Sequence, residues 1–209
     1  NNNNWIRRCV WNAALNYDKN FSEKHHVYGQ LKYDYEYNDK TGTNTTVYRH
    51  NISLFGHYGY DNRLLFDVAL VESGSSRLAP GDKWAMSPNV SFAWNISNEK
   101  FMKNVKWLDF LKLRASWGNQ VLDVLPGGDV WTYYDQFYLM NGVSYPFDAT
   151  YTGTQWGNTY LGTAKTQHID HENASKFNVG FDATLFGGLN ISADYYYQHR
   201  YDIWYSTAG

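Results

Sequence analysis

Apolar and polar residues take turns along most of this chain. In "HHVYGQLKYDYEY", residues 25 to 37, Val27, Leu31, Tyr33, Tyr35 and Tyr37 fall on one side, and His26, Gln30, Lys32, Asp34 and Glu36 on the other. Successive side chains of a strand point to opposite faces, so this pattern describes a ribbon with one oily and one wet face. The same alternation predicts strands near 9–18, 25–37, 47–60, 63–72, 85–96, 109–118, 175–185 and 189–200. In the last of these, Leu189, Ile191, Ala193, Tyr195 and Tyr197 oppose Asn190, Ser192, Asp194, Gln198 and Arg200. Cys9 shares the apolar side of the first with Trp11 and Ala13, where it acts as a small hydrophobe. The chain is all-β.

Alternation alone leaves two solvents open for the oily face: the core of a soluble sheet protein, or lipid around a barrel. Composition favours the second, because Phe, Trp and Tyr make up 19% of the 209 residues. Tyrosines and tryptophans collect toward strand ends (Tyr35, Tyr37, Tyr58, Tyr60, Trp84, Trp117, Tyr195, Tyr197), where a ring with a polar tip suits a membrane interface. The connections at 19–24, 61–62, 97–108 and 186–188 are compact, those at 38–46, 73–84 and 119–174 are longer, and the two kinds alternate as in outer-membrane barrels. No run of 18 apolar residues exists and mean hydropathy is −0.60, which excludes helical membrane spans. A net charge of −2 argues against nucleic-acid binding, and Cys9, the only cysteine, permits neither an internal disulfide nor a cysteine-based zinc site.

Two local motifs invite chemistry. "VESGSSRLAPGDKW", 71 to 84, has the small residues and arginine of a phosphate cradle, but strands flank it on both sides. A cradle draws its energy from the N-terminus of a following helix, so the stretch reads as a strand-to-strand connection, with Arg77 pairing a loop or wall carboxylate. "HIDHE", 168 to 172, is dense in metal-ligand types, yet only His168, Asp170 and Glu172 share a strand face and no ligand spacing matches; a metal site is not expected. Phe101, Met102 and Val105 in "NISNEKFMKNV" fall at helix-like intervals and predict a short helical turn. Nucleophile elbows, phosphate-binding loops and paired-carboxylate signatures are absent, so neither an enzyme nor a cofactor is expected.

The stretch "LLFDVALVESGSSRLAPGDKWAMSPNVSFAWNISNEKFMKNVKWLDFLKLRASWGNQ", residues 64 to 120, resembles the barrel of SusC-like TonB-dependent outer-membrane transporters of Bacteroidetes. A second block, "HENASKFNVGFDATLFGGLNISADYYYQHRYDIW", resembles the strand pair that follows it in that family. Ser73, Leu78 and His171 depart from the family pattern, where Asp, Phe and Trp are usual. The resemblance implies an antiparallel up-and-down transmembrane β-barrel, of which these eight strands would be about a third of a plugged barrel of about 22 strands. Residues 1–209 would then be an internal part of that barrel, in the outer membrane, with the plug domain elsewhere in the polypeptide. It further implies TonB-dependent import of an oligosaccharide or other large nutrient, with a SusD-like surface lipoprotein as lid and the TonB, ExbB and ExbD complex as energy source. The residues by themselves leave two rivals: a complete eight-stranded porin or adhesion barrel, and a soluble carbohydrate-binding β-sandwich.

The connection at 119–174 holds the candidate ligand residues. Trp131, Tyr133, Tyr134, Trp156 and Tyr160 stand among Gly, Asn, Asp and Thr. Flat rings cover the apolar face of a sugar while amides and carboxylates take its hydroxyls. The plainer role for the same rings is packing of a loop at the barrel mouth.

Overall fold

A computed structural model describes residues 5–40, 46–123, 136–140, 158–163 and 170–205. Ten strands form in chain order: β1 (Ile6–Phe21), β2 (His25–Lys40), β3 (Val47–Tyr60), β4 (Leu64–Ser75), β5 (Trp84–Asn95), β6 (Leu108–Leu122), β7 (Gln136–Met140), β8 (Asn158–Thr163), β9 (Glu172–Leu185) and β10 (Leu189–Tyr201). Eight of them make one antiparallel sheet in the order β1-β2-β3-β4-β5-β6-β9-β10, and β7 and β8 pair separately. All eight expected strands are present, each within a few residues of its expected range. The β7-β8 pair was not expected. It lies in the 119–174 connection, where short runs of mixed polarity carry no sustained alternation.

Register makes the two faces continuous from strand to strand. Leu15, Leu31, Leu54, Leu70 and Pro88 stand opposite one another on β1 to β5, and Phe92, Ala115, Val179 and Tyr195 do so on β5, β6, β9 and β10. A slip of one residue at any ladder would move a whole strand's apolar set to the polar side, so the apolar rows themselves hold the register. One irregularity occurs between Leu108 and Phe110, where a bulge shifts the β6-β9 pairing and turns Phe110 to the polar side beside Thr184. Pro88 has no N–H to offer a ladder, and the β5-β6 pairing starts one residue later, at Asn89.

The compact connections use conformations suited to hairpins. Asp61 and Asn62 both have positive φ, 51° and 52°, and Arg63 N–H donates to Tyr60 O at 2.8 Å. Phe186 and Gly187, at 52° and 73°, close the β9-β10 hairpin in the same way, with Gly188 N–H on Leu185 O at 3.1 Å. Such paired left-handed residues match the right-handed twist of the flanking strands. The expected helical turn appears as two 3-10 turns, Ile96–Asn98 and Lys100–Met102. All these compact links lie at one end of the sheet, and at the other end the chain leaves β2, β4 and β6 and enters β3, β5 and β9.

Among the described residues no second layer covers the apolar face of the eight-stranded sheet. Leu15 is 73% exposed, Leu31 50% and Leu54 48%, although they sit in the middle of long strands. Among the described residues the buried apolar side chains are Leu78, Ala79, Ala174 and Ala183, far too few for a dry interior. A soluble sandwich would bury its apolar face against a second sheet; this chain leaves that face bare, which overturns the sandwich reading. The eight-stranded closed barrel is overturned as well, because β1 and β10 are the two edges of the sheet and do not pair.

Gly180, on β9, permits a close approach. A Cβ there would lie 2.8 Å from the Ala193 carbonyl oxygen and 2.3 Å from Asp194 Oδ1 on β10. Gly180→Val is therefore expected to force β9 from β10 and cost about 1–3 kcal/mol as an overpacking substitution. Urea unfolding of the full-length protein in lipid checks it; a midpoint equal to the parent's would mean the strands have room.

Candidate functional site

The polar face is a wall of short hydrogen-bonded ladders that tie neighbouring strands. Arg114 on β6 reaches Asp182 on β9 at 2.9 Å and Asp194 on β10 at 3.1 Å, and Ser192 donates to Asp182 at 2.8 Å. Asp67 on β4 accepts from Ser91 on β5 at 2.9 Å and pairs His57 on β3 at 2.5 Å. His57 faces the His26 ring at 5.4 Å, and His26 in turn meets Asp18 on β1 at 2.8 Å. These groups are all partly exposed, as expected of side chains that border water, where such pairs add little stability and mainly fix geometry. Between Phe55 and Tyr196 the wall is indented by a cavity of about 520 Å³, with Asn89, Lys176, Asn178 and Gln198 along it.

On the other face an apolar belt ends at rings. Trp117, Phe177 and Tyr197 form one row on β6, β9 and β10, and the next row toward the long connections is Asn119, Ser175 and His199. Trp117 Nε1 donates to Ser175 Oγ at 3.2 Å, so the indole spans the change from apolar to polar surroundings. On the first strands Trp11 stands opposite Tyr35, and the Tyr35 and Trp84 rings lie 4.8 and 6.1 Å from the His50 ring. At the compact end, Trp94 Nε1 donates to Glu99 at 3.1 Å and Arg63 holds the same carboxylate at 3.1 Å. The Trp94 indole, then Arg63, hold the Glu99 carboxyl below its usual range.

At the other rim a compact knot ties loop 76–83 and Asp123, at the end of β6, to β3. Arg49 on β3 grips Asp123 with two N–H groups, both at 2.9 Å, and Ser75 Oγ donates to the same carboxylate at 2.7 Å. The Tyr48 N–H donates to Ser76 Oγ and the Ser76 N–H to Tyr48 O, each at 3.0 Å. Leu78 and Ala79 are buried beneath this strapping. The small residues of Gly-Ser-Ser-Arg thus bond to the protein's own strands and no helix follows them, as the flanking pattern required. Arg77 bears electrostatically on Asp123, the wall-side carboxylate. Burial raises the Asp123 carboxyl, but the Ser75 hydroxyl and the Arg49 and Arg77 charges outweigh it, leaving the group below its usual range. A lowered carboxyl contributes stability above the ordinary carboxylate range and loses it as pH falls, so this knot holds throughout neutral pH. Asp123→Ala is expected to cost about 1–2 kcal/mol, below a fully buried pair because Arg49 is partly exposed. The check is whether trypsin cuts faster after Arg77 or Lys83; unchanged cutting would deny Asp123 a strapping role.

Of the sequence-derived candidates, Trp131, Tyr133, Tyr134 and Trp156 lie outside the described residues, as does His168. Tyr160 falls on β8, opposite Tyr138 of β7. No grouping of metal-ligand side chains appears among the described residues. His171 was noted in the sequence only within HIDHE and as a departure from the family pattern, and Asp123 and Arg49 were not singled out. Arg49 and Ser75 stand opposite each other across β3 and β4, but nothing short of the strand pairing reveals it.

One open sheet with a bare apolar belt, aromatic borders and a hydrogen-bonded polar wall defines a stretch of transmembrane β-barrel. No family model matches the chain. It is 32% identical over 142 residues to the TonB-dependent receptor SusC of Bacteroides thetaiotaomicron, covering 66% of this chain and 13% of that protein. It is 28% identical over 224 residues to a TonB-dependent receptor of Formosa agariphila, covering 92% of this chain and 20% of the relative. Among solved structures, the RagAB peptide importer in its closed-closed state superposes with a TM-score of 0.79 at 19% identity, over 96% of this chain and 24% of that one. The chain is thus similar to a stretch of SusC-like TonB-dependent receptors, proteins of the outer membrane, and spans about a fifth or less of the length of these curated relatives.

Proposed function

We propose that the intact protein imports a large nutrient across the outer membrane by a TonB-dependent route, and that its substrate is an oligosaccharide. The observation that carries this reading is the polar wall: a lumen-side surface of amides, hydroxyls and paired charges behind a lipid-facing belt has the chemistry of a wide hydrated passage. Residues 1–209 form barrel wall and loops, and the plug domain that contacts the TonB, ExbB and ExbD complex belongs to the rest of the polypeptide. A SusD-like lipoprotein covers the mouth. The sugar assignment draws on Trp131, Tyr133, Tyr134, Trp156 and Tyr160 in the longest connection, where rings and hydrogen-bonding side chains are interleaved as saccharide recognition requires.

Growth of the source bacterium with and without the intact gene tests the reading. Loss of growth on oligosaccharides, restored by the wild-type gene, is expected. Loss confined to oligopeptides would move the substrate class to peptides. Undiminished growth on both, with undiminished uptake of labelled forms of each, would remove the import reading.

A further inference from the structure

We propose that the rim knot is a pH-sensitive clasp on loop 76–83 and the adjoining ends of β6 and β9, shut while His171 is neutral and loosened when that imidazole takes up a proton. Asp123 follows directly on β6 and His171 directly precedes β9, and both line one small cavity with Arg49 and Ser75. Loop 76–83 is strapped to the same place through Ser75 and Ser76. Anything that opens the knot therefore loosens loop 76–83 together with the adjoining ends of β6 and β9.

His171 is built into it as a buried group, 2% exposed. Its backbone N–H donates to Asp170 Oδ1 at 2.7 Å, but its ring Nδ1 stands 3.6 Å from that oxygen and makes no hydrogen bond. A cavity of about 100 Å³ adjoins the ring, lined also by Arg49, Asn51, Ser73, Ser75 and Asp123. Polar walls and that volume give water a place to enter when the ring becomes charged. The charged groups around it are Asp170 beside it, Asp123 at the end of β6, Asp82 and Arg77 in loop 76–83, and Arg49 on β3. Glu172, its other neighbour, is engaged by Arg200 of β10 at 2.9 Å.

Burial pushes the His171 imidazole below its ordinary value, against the opposing pull of Asp170, Asp123 and Asp82. The sign follows. Above the unfolded value both states are neutral and the clasp keeps its full stability; as pH falls below it the opened state binds the proton first and gains. Asp123, held below the ordinary carboxylate range, remains ionised across this window.

Hydrogen exchange of the full-length protein in lipid nanodiscs, corrected for intrinsic rates, reads the opening of segments 76–83 and 170–173. From about pH 7.5 to about pH 4.5, opening is expected to rise about threefold or more in the wild type. His171→Phe is expected to abolish the rise, and Asp170→Asn to move its midpoint to lower pH, since Asp170 favours the charged ring. A flat wild-type profile, or an equal rise in His171→Phe, overturns the proposal. Should His171→Phe fail to fold, a midpoint that stays in place or moves upward in Asp170→Asn overturns it.

Discussion

Leu54→Arg is expected to cost the folded protein about 2–4 kcal/mol in a bilayer, while Ser53→Arg, one residue away, costs close to nothing. The two positions differ in the solvent they meet. Leu54 belongs to the row Leu15, Leu31, Leu54, Leu70, Pro88, and Ser53 stands between Lys32 and Val71 on the polar wall. A guanidinium at Leu54 must sit in hydrocarbon or drag water and headgroups toward it, whereas at Ser53 it joins an already wet surface beside other charges. Leu31→Arg and Val179→Arg belong to the first class for the same reason. Urea titration of the full-length protein folded into phospholipid bilayers separates the cases. Equal costs at 53 and 54 would mean that both faces meet one solvent, and the barrel reading would fall with that result.

Leu78→Ala is expected to remove about 2–5 kcal/mol from the packing of loop 76–83 while leaving membrane insertion intact. Leu78 is the largest fully buried side chain among the described residues, and its neighbours Ser76 and Ala79 are buried with it. Truncation leaves a cavity that a strapped loop cannot readily fill, because Ser75 and Ser76 tie it to Asp123 and Tyr48. Even the lower figure corresponds to about a thirtyfold rise in local opening. Exchange of amides 76–83 would show it; protection unchanged from the parent would mean that Leu78 is covered without being packed. Since the eight-stranded sheet contributes few buried side chains, this loop is one of the few places among the described residues where interior packing governs stability at all.

These two substitutions also divide what was legible in the residues from what was not. The facing of Leu54 and Ser53 follows from alternation, because a strand has only two sides and its neighbours must match. The site was less legible. Arg49, Asp123 and His171 are scattered along the chain, and no local spacing links an arginine inside β3 to an aspartate that starts a distant connection. The loop rings that suggested ligand contact were conspicuous for composition alone, which indicates what could bind without indicating where the rings stand.

Sequence by itself determined the strands, their two faces and the asymmetry of short and long connections. Each depends on a repeat of two residues or on a local turn. Only the tertiary structure decided that the apolar face stays uncovered, that β6 pairs with β9 across a long excursion, and that Arg49, Ser75, Asp123 and His171 meet at one rim. Those outcomes depend on which strand edges meet and on what solvent remains when they have done so, and hydrogen bonds between residues far apart in the chain leave no periodic trace along it.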